Sequence, residues 1–179
     1  MAEELIGGEA RLVEFNAIIN HRNPQTDFTK QPRFSFHTGM DVPFGSHIEN
    51  DLYHALFVKT LTNLTDMGPD DGGTVVVAGS HKLLISDNEL TEIAYDYPSL
   101  IHQVIGLAGS TLLFSETLVH ATNEIESDRE RTIISAGYGS RLMPMWEGNS
   151  TAEFLDHVPP QLRTFFGGKA HWTRGARYR

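Results

Sequence analysis

With 179 residues, 40% of them apolar and 21% charged, the chain has the size and composition of a single soluble domain with a core of its own. A net charge of −9 argues against a nucleic-acid partner, and no apolar run is long enough for a membrane-spanning helix. The absence of cysteine excludes disulfides, thiolate metal sites and a cysteine nucleophile together, so any metal must be held by nitrogen and oxygen.

The acidic start, Met1-Ala2-Glu3-Glu4, lacks the basic and apolar blocks of a secretory signal, so a cytoplasmic location is expected. Arg11 to Ile19 is rich in β-formers and predicts a strand, and Asn23 to Lys30, polar with Pro24, predicts a loop. Arg33 to His37 alternates, with Phe34 and Phe36 on one face, and predicts a second strand. The stretch around His47, Gly45 to Asp51, is polar and reads as a loop. Tyr53 to Leu64 predicts a long strand with Lys59, Leu61 and Asn63 on one face and Thr60 and Thr62 on the other; the sequence does not say which face is inward. Met67 to Gly73 is a turn cluster, and Gly73 to Ala78 a short buried strand. Asp87 to Tyr95, acidic early and apolar at helical spacing, predicts a short helix. Strands are expected at Ile101 to Leu107, Ser110 to Phe114 and Arg131 to Tyr138, and a helix broken by Pro159-Pro160 at Glu153 to Phe166. Trp146 and Trp172 read as packing residues, and the basic run Lys169 to Arg179 as a solvated tail. Seven or eight short strands with few helices indicate a single all-β domain, a sandwich or jelly roll, over residues 1–179.

His120 ends an apolar stretch, and Arg131 follows after a polar loop and opens the next strand. In an antiparallel pair the two side chains can reach one cavity, and arginine is the residue for bidentate capture of a carboxylate in a dry site. A metal beside it needs further ligands. Two histidines and one carboxylate, with positions left open, make the facial set used by non-haem iron(II) oxygenases. His37, His47 and His54 are the candidates for the second histidine. Side chains at i and i+2 of a strand share a face, and only His47-Ile48-Glu49 offers His-x-carboxylate literally. His37 has the better strand context, but Gly39 stands at i+2, leaving Asp41 at i+4 as its carboxylate if the backbone bends. Glu116, four residues before His120, can face the same cavity as an outer carboxylate.

Asp71-Gly72-Gly73, the strand running into Ala78-Gly79-Ser80-His81-Lys82, and the spacing from His120 to Arg131 together resemble the phytanoyl-CoA dioxygenase family of iron(II)- and 2-oxoglutarate-dependent oxygenases, over roughly Arg11 to Leu142. Ala78 replaces that family's proline and Ser110 its aspartate, and the helical region that family members carry ahead of the first strand is not evident. The resemblance implies a cupin-like double-stranded β-helix. It implies that His120 is the distal iron ligand, that Arg131 binds the far carboxylate of 2-oxoglutarate, and that Thr122 supplies a hydroxyl near that co-substrate. His37 matches the proximal histidine, and His81 shapes the mouth of the site without binding metal. The carboxylate position is where the chain departs: Asp41, Glu49 or a halide, in that order, would fill the gap left by Gly39.

The expected enzyme is therefore a dioxygenase holding Fe(II) with His37, Asp41 and His120, using 2-oxoglutarate and molecular oxygen to hydroxylate a small-molecule substrate. An iron/2-oxoglutarate halogenase and a non-catalytic cupin-like binding protein are the rivals. Neither the substrate nor the oligomeric state is written in the sequence.

Overall fold

The β-rich run near the start forms β1 (Ala10–Asn20). The structure, a computed structural model, describes residues 1–30, 32–40, 45–83, 85–141, 143–145 and 152–167; Asp41, Trp146, Trp172 and the run from Lys169 to Arg179 lie outside the described residues. After β1 come β2 (Ser46–Glu49), β3 (Leu52–Ala55), β4 (Phe57–Asn63), β5 (Thr74–Val77), β6 (Ile101–Val104), β7 (Thr111–Ser115), β8 (His120–Thr122) and β9 (Arg131–Ser140). The larger sheet has the order β1–β9–β4–β7, the smaller β6–β5–β8, and β2 and β3 form a hairpin. Every ladder is antiparallel. From β4 onward the chain crosses between the sheets: β4 in the larger, β5 and β6 in the smaller, β7 in the larger, β8 in the smaller, β9 in the larger. That alternation is the double-stranded β-helix, or jelly roll, expected from the strand count.

The short helices are α1 (Ala2–Ile6), α2 (Asp87–Asp96), α3 (Ala152–His157) and α4 (Arg163–Gly167). Ser86 caps α2 by accepting the Glu89 N–H at 3.3 Å, and Asp87 and Glu89 favour its positive N-terminal end. Leu90 and Ala94 of α2 are buried against Val77 of β5 and Val119, with Phe36 packed at the edge. This contact sets the facing of the smaller sheet. Val119 points out toward α2, so its neighbour His120 points inward, toward the larger sheet.

Three local expectations change. Residues 33–36 form no strand; only His37 makes a β-bridge. The segment is held instead by α2: Phe34 N–H donates to the Tyr95 hydroxyl at 2.7 Å, and the Phe36 ring lies 6.2 Å from that of Tyr95. The long strand Tyr53 to Leu64 is two strands, because the chain changes partners at Leu56: its N–H still donates to Gly45 C=O beside β2, while its C=O accepts the Ser140 N–H of β9. His47 to Glu49 is not loop but part of β2, paired across the hairpin with Leu52 to His54. The proline break at residues 159–160 does separate two helical pieces, α3 and α4.

Candidate metal centre

His37 and His120 are brought together by the backbone. Each donates its N–H to the other's C=O at 3.0 Å, so the two residues face each other as a hydrogen-bonded antiparallel pair. Their rings lie 4.5 Å apart between centroids, and the Phe114 ring packs edge-on to His120 at 4.9 Å. Both imidazoles are oriented in the same way. The Nδ1 of His120 meets Leu118 C=O at 2.8 Å, and the Nδ1 of His37 meets Ser35 C=O at 3.0 Å. A carbonyl only accepts, so each Nδ1 carries a proton, and the neutral ring then has its lone pair on Nε2, the tautomer a metal ligand requires. Burial lowers the pKa of His120, aided by the neighbouring His37 and Lys59. Its bond to Leu118 and the charge of Glu116 oppose the fall without cancelling it. The ring is thus held neutral. Ser80 fixes the approach to β8: its fully buried hydroxyl accepts the Val119 N–H at 2.9 Å.

Beside this pair the interior holds a line of charge. Lys59 Nζ lies 3.1 Å from Glu14 and 3.1 Å from Glu116 Oε1, with both carboxylates almost wholly buried. Lys59 is therefore on the inward face of β4. Glu116 Oε2 has no hydrogen-bond partner among the described residues. It occupies the space next to Gly39, whose N–H donates to Glu116 C=O at 2.9 Å; a Cβ built on Gly39 would fall on that carboxylate. Among the described residues no three His, Asp or Glu groups are gathered tightly enough to form a finished metal cage.

Arg131, first residue of β9, is buried, and burial lowers its pKa although a guanidinium stays charged. Its Nη1 donates to Gly73 C=O at 3.3 Å, and its Nε has no partner among the described residues. Gly72 and Gly73 have φ of 74° and 99°, a conformation glycine adopts without a Cβ penalty, and this turn presents the carbonyl to Arg131. On β5, Val76 pairs with His120, while Gly73 precedes the strand. The guanidinium contact is therefore three residues along from the histidine, about 10 Å at strand rise. Ile133, on the Arg131 face, and Thr74 line a space of about 160 Å³ between the sheets. Thr122, expected near the co-substrate, ends β8 with its side chain exposed; its buried ladder partner Thr74 is the threonine that lines this space.

A larger cleft, about 870 Å³, opens on the other side of the His37 segment. Thr38, Met40, Tyr53, His81, Asp87 and Thr117 are among its lining residues. Asp87 accepts both the N–H and the hydroxyl of Thr38, at 3.1 and 2.7 Å, tying the segment to the start of α2. His81 packs edge-on against Tyr53, whose hydroxyl lies 3.1 Å from that of Thr117. Burial, then the charge of Lys82, lowers the His81 pKa. His47 and His54 stack on each other in the hairpin at 5.0 Å, and Glu49 is exposed there, so the literal His-x-Glu stands apart from the His37–His120 pair. Sequence reasoning left Lys59 without a face and gave Ser80 no role. A lysine at the same parity as Phe57 in an apolar strand was the available signal for the first.

The fold is shared with several solved structures. HygX from Streptomyces hygroscopicus, solved with nickel and 2-oxoglutarate bound, is similar with a TM-score of 0.65 and 21% identity over 85% of this chain and 65% of HygX. AviO1 from Streptomyces viridochromogenes Tue57 (TM-score 0.58, 19% identity, 80% of this chain and 57% of AviO1) and EctD from S. alaskensis (0.56, 20%, 78% and 48%) are similar as well. The chain thus spans just under two-thirds of the length of HygX. No curated protein matches the sequence significantly. A family model described as phytanoyl-CoA dioxygenase (PhyH) matches residues 10–133, well over half of the chain and the span that carries both histidines and Arg131. The chain belongs to the phytanoyl-CoA dioxygenase family.

Proposed function

We propose that the chain is an iron(II)- and 2-oxoglutarate-dependent dioxygenase that hydroxylates a small organic substrate. His37 and His120 would hold the iron, and Arg131 the far carboxylate of 2-oxoglutarate. The observation that carries this reading is the paired imidazoles: both Nδ1 protons are committed to carbonyls, and both Nε2 lone pairs remain for a metal. HygX, which has the same fold, was solved with iron bound and with nickel and 2-oxoglutarate bound. The iron would supply Lewis acidity and the redox capacity to activate oxygen. The protein's own part is orientation. The ladder between His37 and His120 sets the spacing of the ligands, and Phe114 covers one side of His120. Arg131 is buried, and its Nε has no partner among the described residues, which suits a guanidinium that awaits a carboxylate. The hydroxyl-rich cleft beside Thr38 favours a polar substrate. A cytoplasmic location is part of this reading.

A halogenase would need an open anion pocket beside Gly39. The Glu116 carboxylate stands in that space and repels a halide, which favours hydroxylation. Turnover that required chloride would reverse this preference.

Anaerobic titration with Mn(II) and then 2-oxoglutarate tests the assignment. His120→Ala is expected to abolish metal binding. Arg131→Ala is expected to retain the metal and weaken 2-oxoglutarate by roughly 2–5 kcal/mol, the usual consequence of removing one partner of a buried charge pair. Succinate formation with oxygen completes the test. A wild-type protein that binds no metal and forms no succinate would instead be a cupin-like binding protein.

A further inference from the structure

We infer that Glu116 is the third protein ligand of the metal, in place of a carboxylate at position 39. The inference rests on the proposed iron site and adds a residue to it. His37 and Gly39 are two apart, the spacing at which strand side chains share a face, and a carboxylate at position 39 would complete a facial set with His120. Gly39 is not among the glycines with positive φ, so its backbone would accept a side chain. What excludes one is space. The first atom of any side chain there would coincide with the carboxylate of Glu116, reaching across from the segment that follows β7. A negative group is therefore present where the facial set lacks one, delivered from a different segment.

The state of that carboxylate points the same way. Glu116 is 1% exposed, and Oε2, the oxygen at Gly39, has no hydrogen-bond partner among the described residues. A buried carboxylate oxygen left unpaired is costly unless something cationic meets it. Lys59 lies at Oε1, on the other side, and Glu14 beyond Lys59 shares that charge. Lys59 thus holds Glu116 by one oxygen, and the second, beside Gly39, has no hydrogen-bond partner among the described residues. The terminal torsion of a glutamate is soft, so the carboxylate can reorient on a fixed backbone. The backbone contact is already made, since Gly39 N–H donates to Glu116 C=O at 2.9 Å.

The test measures Mn(II) affinity and the Mn(II) electron paramagnetic resonance spectrum of the whole chain, with melting curves of the metal-free proteins to verify folding. Glu116→Gln preserves shape and is expected to weaken Mn(II) by more than about 100-fold; an outer carboxylate would cost only about 10- to 100-fold. Asp41→Ala is expected to bind Mn(II) as wild type does. The decisive variant is the double substitution Gly39→Asp with Glu116→Ala. It moves the carboxylate to the other segment, and it is expected to recover at least a tenth of wild-type affinity while Glu116→Ala alone does not. Glu116→Gln with near-normal affinity, a loss confined to Asp41→Ala, or a folded double variant without recovery would each overturn the assignment while leaving the histidines and Arg131 in place. Wild-type protein that takes up no Mn(II) would overturn the iron reading as well.

Discussion

Ser80 shows how a single hydroxyl can set the geometry of a distant ligand. Its Oγ is fully buried and accepts the N–H of Val119, the residue before His120. Ser80→Ala would leave that N–H buried without a partner, an expected loss of roughly 1–3 kcal/mol in urea denaturation. Mn(II) affinity is expected to fall with it, since the strand that carries His120 loses its anchor. The Gly-Ser-His turn was legible in the sequence as a feature of the site mouth, but the sequence could not say that the serine rather than the histidine matters for position. Glu116 was readable as an acid near His120. That its carboxylate fills the space beside Gly39 was not, because the contact joins two segments whose pairing depends on the whole sheet.

At the scale of elements, α2 acts as a clamp on the segment that carries His37. It holds that segment at both ends, through Tyr95 at Phe34 and Asp87 at Thr38. The helix itself was plain in the sequence from its acidic first turn and apolar spacing. The segment it holds was misread as a strand, because Phe34 and Phe36 alternate as strand residues do, while the two rings pack on each other and Phe36 on Tyr95 and the apolar cluster under α2. Leu90 is the buried contact that seats α2 on Val77 and Val119. Leu90→Ala is expected to cost about 2–5 kcal/mol of stability, as large-to-small changes in cores do. It should also weaken Mn(II) binding more than a change of equal size on a remote strand, which parallel denaturation and binding measurements would reveal.

Across the whole molecule, two of the crossings between sheets are latched at Asp71. Its buried carboxylate accepts the N–H of Gly68, from the crossing that leads into β5, and the hydroxyl of Ser127 and the guanidinium of Arg129, from the crossing that leads into β9. Burial pushes the Asp71 pKa up, but those hydrogen bonds and the Arg129 charge outweigh it, and the pKa lies below its ordinary 3.8. A carboxyl whose pKa is lowered on folding stabilises the protein above its ordinary value, and that contribution is lost as pH falls through the folded one. The stability advantage of wild type over Asp71→Asn is therefore expected to be greatest near neutral pH and to shrink below about pH 3.8; an advantage that persists in acid would mean that the latch is not ionic. The alternating sheets were legible from strand count and turns, whereas the change of partner at Leu56 was not, since β3 and β4 read as one periodic run. The peptide ladder between His37 and His120 has a consequence for assembly of the chain. Its two members are separated by close to half the polypeptide, so the entropy of closing that loop must be overcome before either imidazole has a neighbour. The unfolded chain therefore offers a cation only isolated, weak donors. Any ion that prefers the paired imidazoles must draw the folding equilibrium toward the native state, so holo protein should melt at a higher temperature than apo, by an amount that grows with ion concentration.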